Sequence, residues 1–203
     1  MTARKPSPRP RGRSAAVPAP TKGALRVVAG EARGRRLDVP SGTGTRPTPD
    51  RVRQAVFNAL ESLGAVDGAH ALDAFAGSGA LGIEALSRGA DHVVFVDVDA
   101  VARTVIAANL AATGFAARAL VVGGDGRRTA AGGPWDLVLL DPPYAYEDWE
   151  ALLADVLPAL AEDAVVVVES DREVALPPGL DAIRTKQYGG TVVTFASPTG
   201  APS

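Results

Sequence analysis

The clearest candidates for chemistry in this 203-residue chain are a glycine-rich turn and the acidic residues around it. Gly77 and Gly79 let the backbone turn tightly and approach a ligand, with helix N–H groups directed into the crevice. Asp97 follows Gly77 by twenty residues, a spacing at which a carboxylate accepts hydrogen bonds from ribose hydroxyls. With Gly82 completing the pattern, the turn fits two ligand classes, NAD and S-adenosylmethionine.

Asp73, just before this turn, favours the second class. Its carboxylate would repel a pyrophosphate but attract the cationic sulfonium and amino-acid moiety of S-adenosylmethionine. Further acidic residues stand at or just after predicted strand ends, where ligands bind in open α/β sheets, and Asp125 could reach an adenine amino group. Each of these carboxylates could instead cap a helix in a turn. The cofactor-binding residues predicted are Asp73, Gly77, Ser78, Gly79, Asp97, Val98, Asp99, Asp125 and Gly126.

A second motif, Asp141-Pro142-Pro143-Tyr144, follows an apolar strand-like run. The two prolines end the strand and stiffen the turn, so that Asp141 and the Pro142 carbonyl become fixed acceptors. These acceptors can orient an amino group and stabilise the positive charge that grows on an attacking nitrogen. Tyr144 offers a ring on which a base can stack. We predict Asp141, Pro142, Pro143 and Tyr144 as the catalytic residues.

The elements that must position both motifs alternate between strand and helix. Apolar runs such as 93–96, 137–140 and 165–168 are typical of strands covered by helices on both faces. The pattern predicts a doubly wound α/β sheet of seven strands, with an antiparallel hairpin at its C-terminal edge. Strands are expected at 69–75, 92–96, 119–122, 135–140, 164–169, 182–188 and 191–196, and helices at 80–88, 100–112 and 149–160.

The N-terminal quarter differs in charge from the rest. Residues 1–53 carry thirteen Lys or Arg against three Asp or Glu, whereas residues 54–203 carry eight against twenty. Such asymmetry favours a basic region that meets phosphate. We predict a disordered basic arm over 1–22, a small basic hairpin and loop over 23–47, with strands at 25–28 and 35–39, and a ligand-binding domain over 48–203. Thr48 is predicted to cap the first helix, with Pro49 at its first position.

Composition excludes several classes of site. The chain has no cysteine, so it has no disulfide, thiolate metal site or cysteine nucleophile, and we predict no metal site. No apolar run is long enough for a membrane span, and the N-terminus lacks the apolar stretch of a signal peptide. We expect a soluble, cytoplasmic monomer.

With both motifs placed, the chain resembles the class I methyltransferases, and more narrowly the bacterial family that makes N2-methylguanine at position 966 of 16S ribosomal RNA. The resemblance extends from about Leu25 to Phe195. Departures are Asp97, where the family usually has Glu, and Gly190, where it more often has Asp. The marks that carry the resemblance are the residues 26–30, 34–37, 45–53, 57–58, 73–82, 97–99, 109–110, 141–144 and 188–191.

This resemblance implies a Rossmann-like methyltransferase fold, S-adenosylmethionine as the methyl donor, and ribosomal RNA in a small subunit or an assembly intermediate as the substrate. It also gives the basic region a role, because basic side chains position RNA through its phosphates without reading sequence. The residues expected to contact RNA are Arg26, Arg33, Arg35, Arg36, Arg46 and Arg51.

The residues alone leave alternatives open. An Asp-Pro-Pro-Tyr turn suits any planar amino group, including N6 of adenine in DNA or RNA and a glutamine side chain of a protein. An NAD-dependent oxidoreductase would need a catalytic partner, yet the two histidines, His70 and His92, both fall in predicted strands. A non-catalytic RNA-binding assembly factor is a third alternative, against which the acidic residues at the strand ends argue.

Overall fold

The computed structural model describes residues 21–41 and 48–201, with the backbone alone for 21–24. Two short 3-10 turns, Ala116–Arg118 and Leu157–Ala159, accompany the longer elements. Within the described residues the strands are β1 (Thr21–Arg26), β2 (Arg36–Val39), β3 (His70–Asp73), β4 (His92–Asp97), β5 (Ala119–Gly123), β6 (Trp135–Leu140), β7 (Leu160–Ser170), β8 (Leu180–Tyr188) and β9 (Thr191–Pro198). The helices are α1 (Asp50–Ser62), α2 (Ala80–Ser87), α3 (Ala100–Thr113), α4 (Gly126–Ala130) and α5 (Trp149–Val156).

The central sheet has seven strands in the order β5-β4-β3-β6-β7-β9-β8. The first five strands in this order are parallel, and β9 runs antiparallel to both β7 and β8. The seven-stranded, mostly parallel sheet with an antiparallel C-terminal hairpin is therefore confirmed. From β3 the chain builds outward to β5 on one side and then returns to build β6 and β7 on the other. The reversal creates a crevice between the carboxyl ends of β3 and β6, where ligands bind in such sheets.

Alternate residues of the parallel strands enter two separate cores. On one face, Leu137 and Leu139 of β6 pack with α1, α2 and α3, and on the other, Val138 and Leu140 pack with α4 and α5. Because successive side chains of a strand point to opposite faces, a strand buried on both faces must be apolar at every position. This three-layer packing explains the unbroken apolar runs.

The N-terminal hairpin, β1 and β2, packs on the main body. Leu25, Val27 and Leu37 belong to the same core cluster as α1 and α2. The predicted strand at 25–28 ends earlier, at Arg26, because the Val28 N–H donates to the Glu84 carboxylate at 2.8 Å instead of to a strand. Of the arm predicted over 1–22, residues 1–20 lie outside the described residues, and Thr21 already belongs to β1.

Several local predictions differ from the structure. The strand predicted over 69–75 is shorter, His70–Asp73, and the strand predicted over 164–169 is longer, Leu160–Ser170. Pro49, not Thr48, occupies the N-cap position of α1, because the Thr48 hydroxyl bonds to two carboxylates elsewhere. The helix predicted over 149–160 ends at Val156, since Pro158 cannot continue it and the chain closes in a 3-10 turn. The short helix α4 was not predicted. No helix in the described part of the chain is long and apolar enough to cross a membrane.

Candidate active site at the sheet switch point

The glycine turn and the Asp-Pro-Pro-Tyr turn leave neighbouring strands at the same edge of the sheet. β3 and β6 are paired in parallel, with Asp73 opposite Leu139. Asp141 therefore lies only two residues beyond the position opposite Asp73, and the two carboxyl groups interact electrostatically. The two motifs flank one crevice, which is the geometry that transfer between two bound ligands requires.

The glycine turn is fixed by hydrogen bonds to two neighbouring elements, β4 and α3. Gly77 and Gly79 have φ of 54° and 78°, left-handed values that favour glycine, and Gly79 precedes α2. The Gly77 N–H donates to Asp97 Oδ2 at 2.8 Å, while Asn109 Nδ2 donates to the Ser78 carbonyl at 2.8 Å. The turn therefore has a fixed shape before any ligand arrives.

Asp73 is a buried carboxyl group at the end of β3, with 1% of its surface exposed. Its Oδ2 accepts a hydrogen bond from the Gly82 N–H in the first turn of α2, at 2.9 Å. Burial is the main cause that raises the pKa of Asp73 to about 7; the hydrogen bond from Gly82 opposes the rise, and the nearby carboxyls of Asp141 and Asp97 add to it. A cation placed here would offset this desolvation.

Asp97 and Val98 form the far side of the crevice at the end of β4. Asp97 Oδ1 accepts the Asp99 N–H at 2.9 Å, and Oδ2 accepts Gly77. A carboxylate has about four lone-pair sites, so each oxygen can still accept a ribose hydroxyl. Val98 is 75% exposed, an apolar side chain available to a flat ring.

The remaining cofactor candidates lie at helix starts. Asp99 Oδ1 accepts the Val101 N–H and Asp125 Oδ1 accepts the Arg127 N–H, so the two carboxylates cap α3 and α4. Gly126 packs so closely under β3 that an added Cβ would lie 2.2 Å from the Ala74 carbonyl oxygen. The start of α4 thus borders the crevice with no side chain in the way.

The Asp-Pro-Pro-Tyr turn contributes a half-buried carboxyl group and an exposed ring. Burial raises the pKa of Asp141 to about 6, although a hydrogen bond from Thr48 opposes the rise. Pro142 is buried and Pro143 exposed, and the Pro143 carbonyl accepts the Tyr146 N–H at 2.7 Å, which closes the turn. Tyr144 is 54% exposed, and its hydroxyl lies 3.2 Å from Thr191 Oγ1, which fixes the ring position.

The basic candidates lie on the hairpin and on α1. Among them, Arg26 is 65% exposed on its side chain and pairs with Asp50 at 3.2 Å. Arg46 lies outside the described residues. The side chains of Arg33, Arg35, Arg36 and Arg51 are exposed.

The hairpin that carries most of these arginines is bonded to the helices beside the crevice. Glu84 of α2 accepts the Val28 and Ala29 N–H groups at 2.8 and 2.9 Å. The side-chain amide of Asn109 in α3 accepts the Asp38 N–H at 2.8 Å and donates to the Asp38 carbonyl at 2.9 Å. It also donates to the Ser78 carbonyl in the glycine turn. The basic surface is therefore fixed relative to the candidate site.

Residues 25–197 match the family described as "Conserved hypothetical protein 95". The chain belongs to this family. Its sheet order and antiparallel C-terminal strands are those of a class I methyltransferase fold.

Two relatives and one solved structure show how similar this chain is to known proteins. The chain is 39% identical over 186 residues to "Putative rRNA methyltransferase YlbH" of Bacillus subtilis (strain 168), covering 87% of this chain and all of that protein. It is 41% identical over 160 residues to ribosomal RNA small subunit methyltransferase D of Escherichia coli (strain K12), covering 76% and 79% of the two chains. The structure described as "Putative methyltransferase yhhF from Escherichia coli" superposes with a TM-score of 0.77 at 36% identity, covering 87% and 98%.

Sequence reasoning placed Thr48 at the helix cap or on the cofactor side of the crevice, and it predicted neither the contacts of Thr48 with Asp141 and Glu169 nor a role for Glu169. Thr48 Oγ1 lies 3.0 Å from both Asp141 Oδ2 and Glu169 Oε1. Glu169 ends the apolar run of β7, next to β6, so the strand-end argument that selected Asp97 would also have selected it. Burial and the nearby Asp141 raise the pKa of Glu169 to about 8, against smaller opposing effects of Thr48 and Arg53.

Arg53 is another residue that sequence reasoning missed. It is fully buried on α1, where it pairs with Asp50 at 2.9 Å and with Glu84 at 3.6 Å. Its guanidinium also donates to the carbonyls of Thr48 and Arg26. Arg53 therefore joins the hairpin to the segment that carries Thr48, and no helical periodicity predicts a buried arginine.

Proposed function

We propose that this protein is an S-adenosylmethionine-dependent methyltransferase that acts on the exocyclic N2 of guanine 966 in 16S ribosomal RNA. One observation carries the proposal. The glycine turn with the buried Asp73 and the Asp141 turn open onto a single crevice at the switch point between β3 and β6.

The cofactor side of the crevice suits S-adenosylmethionine better than NAD. Asp73 is buried beside two other carboxyls, so a pyrophosphate there would meet uncompensated negative charge, whereas a cation would be stabilised. S-adenosylmethionine, when bound, supplies an electrophilic methyl group on a sulfonium. In this proposal Asp73, Gly77, Ser78 and Gly79 hold the amino-acid moiety and Asp97 the ribose. The adenine lies against Val98, with Asp99, Asp125 and Gly126 at its edge.

The substrate side is built to hold an amino group on a flat base. Asp141 and the Pro142 carbonyl accept the two N–H bonds, which aims the nitrogen lone pair at the methyl carbon. As positive charge develops on nitrogen, these fixed acceptors stabilise it. The exposed ring of Tyr144 stacks on the extruded base, worth about 1–3 kcal/mol per base.

The choice of ribosomal RNA rests on the basic surface and on the relatives. RNA bases are read best when unpaired and splayed out, and phosphates flanking such a base can lie on the exposed arginines of the hairpin and α1. Both relatives named above are rRNA methyltransferases by name, one of them of the small subunit. We further propose a cytoplasmic monomer with a basic arm over 1–22, a basic hairpin and loop over 23–47, and a methyltransferase domain over 48–203.

The test is methylation of small subunits from a strain that lacks its own enzyme of this family. The purified protein, isotope-labelled S-adenosylmethionine and these subunits should give one N2-methylguanine, located at position 966 by nuclease digestion and mass spectrometry. Asp141→Ala should abolish transfer but leave S-adenosylhomocysteine affinity nearly intact, and the exposed Asp163→Ala is the matched control.

Three other results would each change the proposed function. N6-methyladenine or methylated protein would keep the chemistry and change the substrate. Methylation of naked RNA but not of subunits would move the reaction earlier in assembly. Calorimetry with tighter binding of NAD than of S-adenosylhomocysteine would end the methyltransferase proposal.

A further inference from the structure

Thr48 bridges two carboxyl groups that cannot both accept its proton. Its Oγ1 lies 3.0 Å from Asp141 Oδ2 and 3.0 Å from Glu169 Oε1, yet a hydroxyl has one hydrogen. For both contacts to be hydrogen bonds, one carboxyl group must be protonated and donate to Thr48. The geometry therefore requires one shared proton in the cluster of Thr48, Asp141 and Glu169.

The surroundings put that proton on Glu169. Glu169 is buried at 3% exposure, whereas Asp141 is half-buried at the crevice, so ionisation costs Glu169 more. Among the residues that the structure describes, the charged groups that face Glu169 are Asp141, just after β6, which raises its pKa, and Arg53 from α1, which lowers it by less. Asp73 from β3 adds a further carboxyl next to Asp141. Protonated Glu169 then donates to Thr48, and the Thr48 hydroxyl donates to an ionised Asp141.

We propose that Glu169 is a positioning residue that holds the single proton of this hydroxyl-bridged pair, and thereby keeps Asp141 ionised and oriented towards the substrate amino group. The inference rests on the proposed function, since it assigns a purpose to the charge of Asp141. It assigns Glu169 and Thr48 a role in methyl transfer through Asp141, although neither residue has to contact the substrate.

In this arrangement Asp141 can accept a proton from the substrate, and Asp141 and Glu169 are never both ionised. The nitrogen lone pair forms the new N–C bond, the C–S bond breaks with its electron pair on sulfur, and the positive charge on nitrogen is lost when an N–H proton passes to Asp141. Because Asp141 is half-buried, it then returns this proton to water as the product leaves. Glu169 keeps its own proton throughout, so the cluster cycles between one and two protons.

The test compares Glu169→Gln with Glu169→Ala. The glutamine amide donates to Thr48 as the carboxylic acid does, and it cannot ionise, whereas alanine leaves the hydroxyl without a donor. We expect kcat at pH 7 to fall about 2- to 10-fold in the alanine variant, the range for losing one neutral hydrogen bond, and to be largely rescued in the glutamine variant. The loss of activity that ionisation of Glu169 causes above about pH 8 should disappear in the glutamine variant. Glu162→Gln, on an exposed part of the same strand, is the matched control.

An infrared measurement tests the proton without any turnover. Besides a band of Asp73 that Asp73→Asn removes, the difference spectrum of the wild type between neutral and alkaline pH should contain a carboxylic acid C=O band that Glu169→Gln removes and Glu162→Gln keeps. Equal loss of kcat in the glutamine and alanine variants, or absence of that band, would overturn the inference. If the wild type methylates no RNA while the band is present, the proposed function fails and the shared proton stands.

Discussion

The pH dependence of stability gives the sharpest test of the electrostatics around Asp73. Its pKa of about 7 in the folded protein compares with an ordinary value of 3.8. The folded state therefore binds this proton more tightly than the unfolded chain does. The resulting stabilisation is fully present below pH 3.8 and is lost as the pH rises through about 7. At 1.36 kcal/mol per pH unit, the total loss is about 4 kcal/mol.

Asp73→Asn removes the ionisation but keeps an oxygen for the Gly82 N–H, now 2.9 Å from the carboxylate. Between pH 5 and 8 the free energy of unfolding of the wild type should fall by about 3 kcal/mol relative to that of this variant. For a chain of 203 residues that difference corresponds to about 5–10 °C in Tm. The same substitution should weaken S-adenosylmethionine binding by about tenfold or more, because the cation loses its carboxylate.

The assay is urea unfolding followed by circular dichroism at several pH values from 5 to 8, with Asp163→Asn as an exposed control. The free energy of unfolding of the wild type minus that of Asp73→Asn should fall by about 3 kcal/mol from pH 5 to pH 8. The same difference for Asp163→Asn should not change with pH. Calorimetry supplies the cofactor affinities. A pH-independent difference between wild type and Asp73→Asn would refute the reasoning, because it would mean that Asp73 is ionised at every pH tested.

Three further predictions concern packing, stacking and charge. Gly82→Ala puts a Cβ 2.3 Å from Phe95 Cε1, so unfolding by urea should reveal a loss of about 1–3 kcal/mol. Tyr144→Ala should raise the KM for RNA roughly 5- to 150-fold, the equivalent of one lost stacking interaction, in a filter-binding or initial-rate assay. Replacing Arg35 and Arg36 by Gln should lower the slope of log affinity against log salt by about 0.7 for each phosphate that is no longer neutralised.

Each of these has a matched control. Gly190→Ala should be nearly neutral, since an added Cβ there meets no atom of the described residues within 4 Å. Tyr144→Phe keeps the ring and loses only the bond to Thr191, so its KM should stay near that of the wild type. Arg184→Gln on exposed β8 should leave the salt slope unchanged. Equal effects of test and control variants would contradict the corresponding interpretation.

The sequence predicted the elements that are set by local patterns. Strand β6 was predicted with its observed bounds, 135–140, because the apolar run 137–140 is followed by Asp141 and two prolines, which end the strand. Helix α3 was predicted to within one residue, because Gly114 takes the left-handed conformation that ends it. Parallel strand ends meet at one edge of a sheet, so the shared crevice of the two turns also followed from strand order.

The contacts that sequence reasoning missed join residues far apart in the chain. Thr48 lies 93 residues from Asp141 and 121 from Glu169, and no periodicity reports such a pairing. The capping rule assigned Thr48 to α1 because that rule considers only its neighbours. The carboxyl groups of Asp141 and Glu169, of which at least one can be ionised, offer the same hydroxyl a stronger bond, since charge-assisted hydrogen bonds exceed neutral ones. Tertiary electrostatics therefore overrode a valid local preference.

The three raised pKa values at the strand ends have one cause and one consequence. Asp73, Asp141 and Glu169 are carboxyl groups that lose water on folding, and within the described part of the chain none of them faces a cation that fully compensates it. A protein selected for stability alone would replace them, because a buried ionisable group without a compensating partner destabilises the fold. Their presence at the one crevice of the switch point makes sense if a cationic ligand and a nitrogen that becomes positive both bind there. The same charge that weakens the folded state at alkaline pH would then stabilise the transition state, so substitutions that neutralise Asp73 or Asp141 should raise stability and lower methyl transfer together.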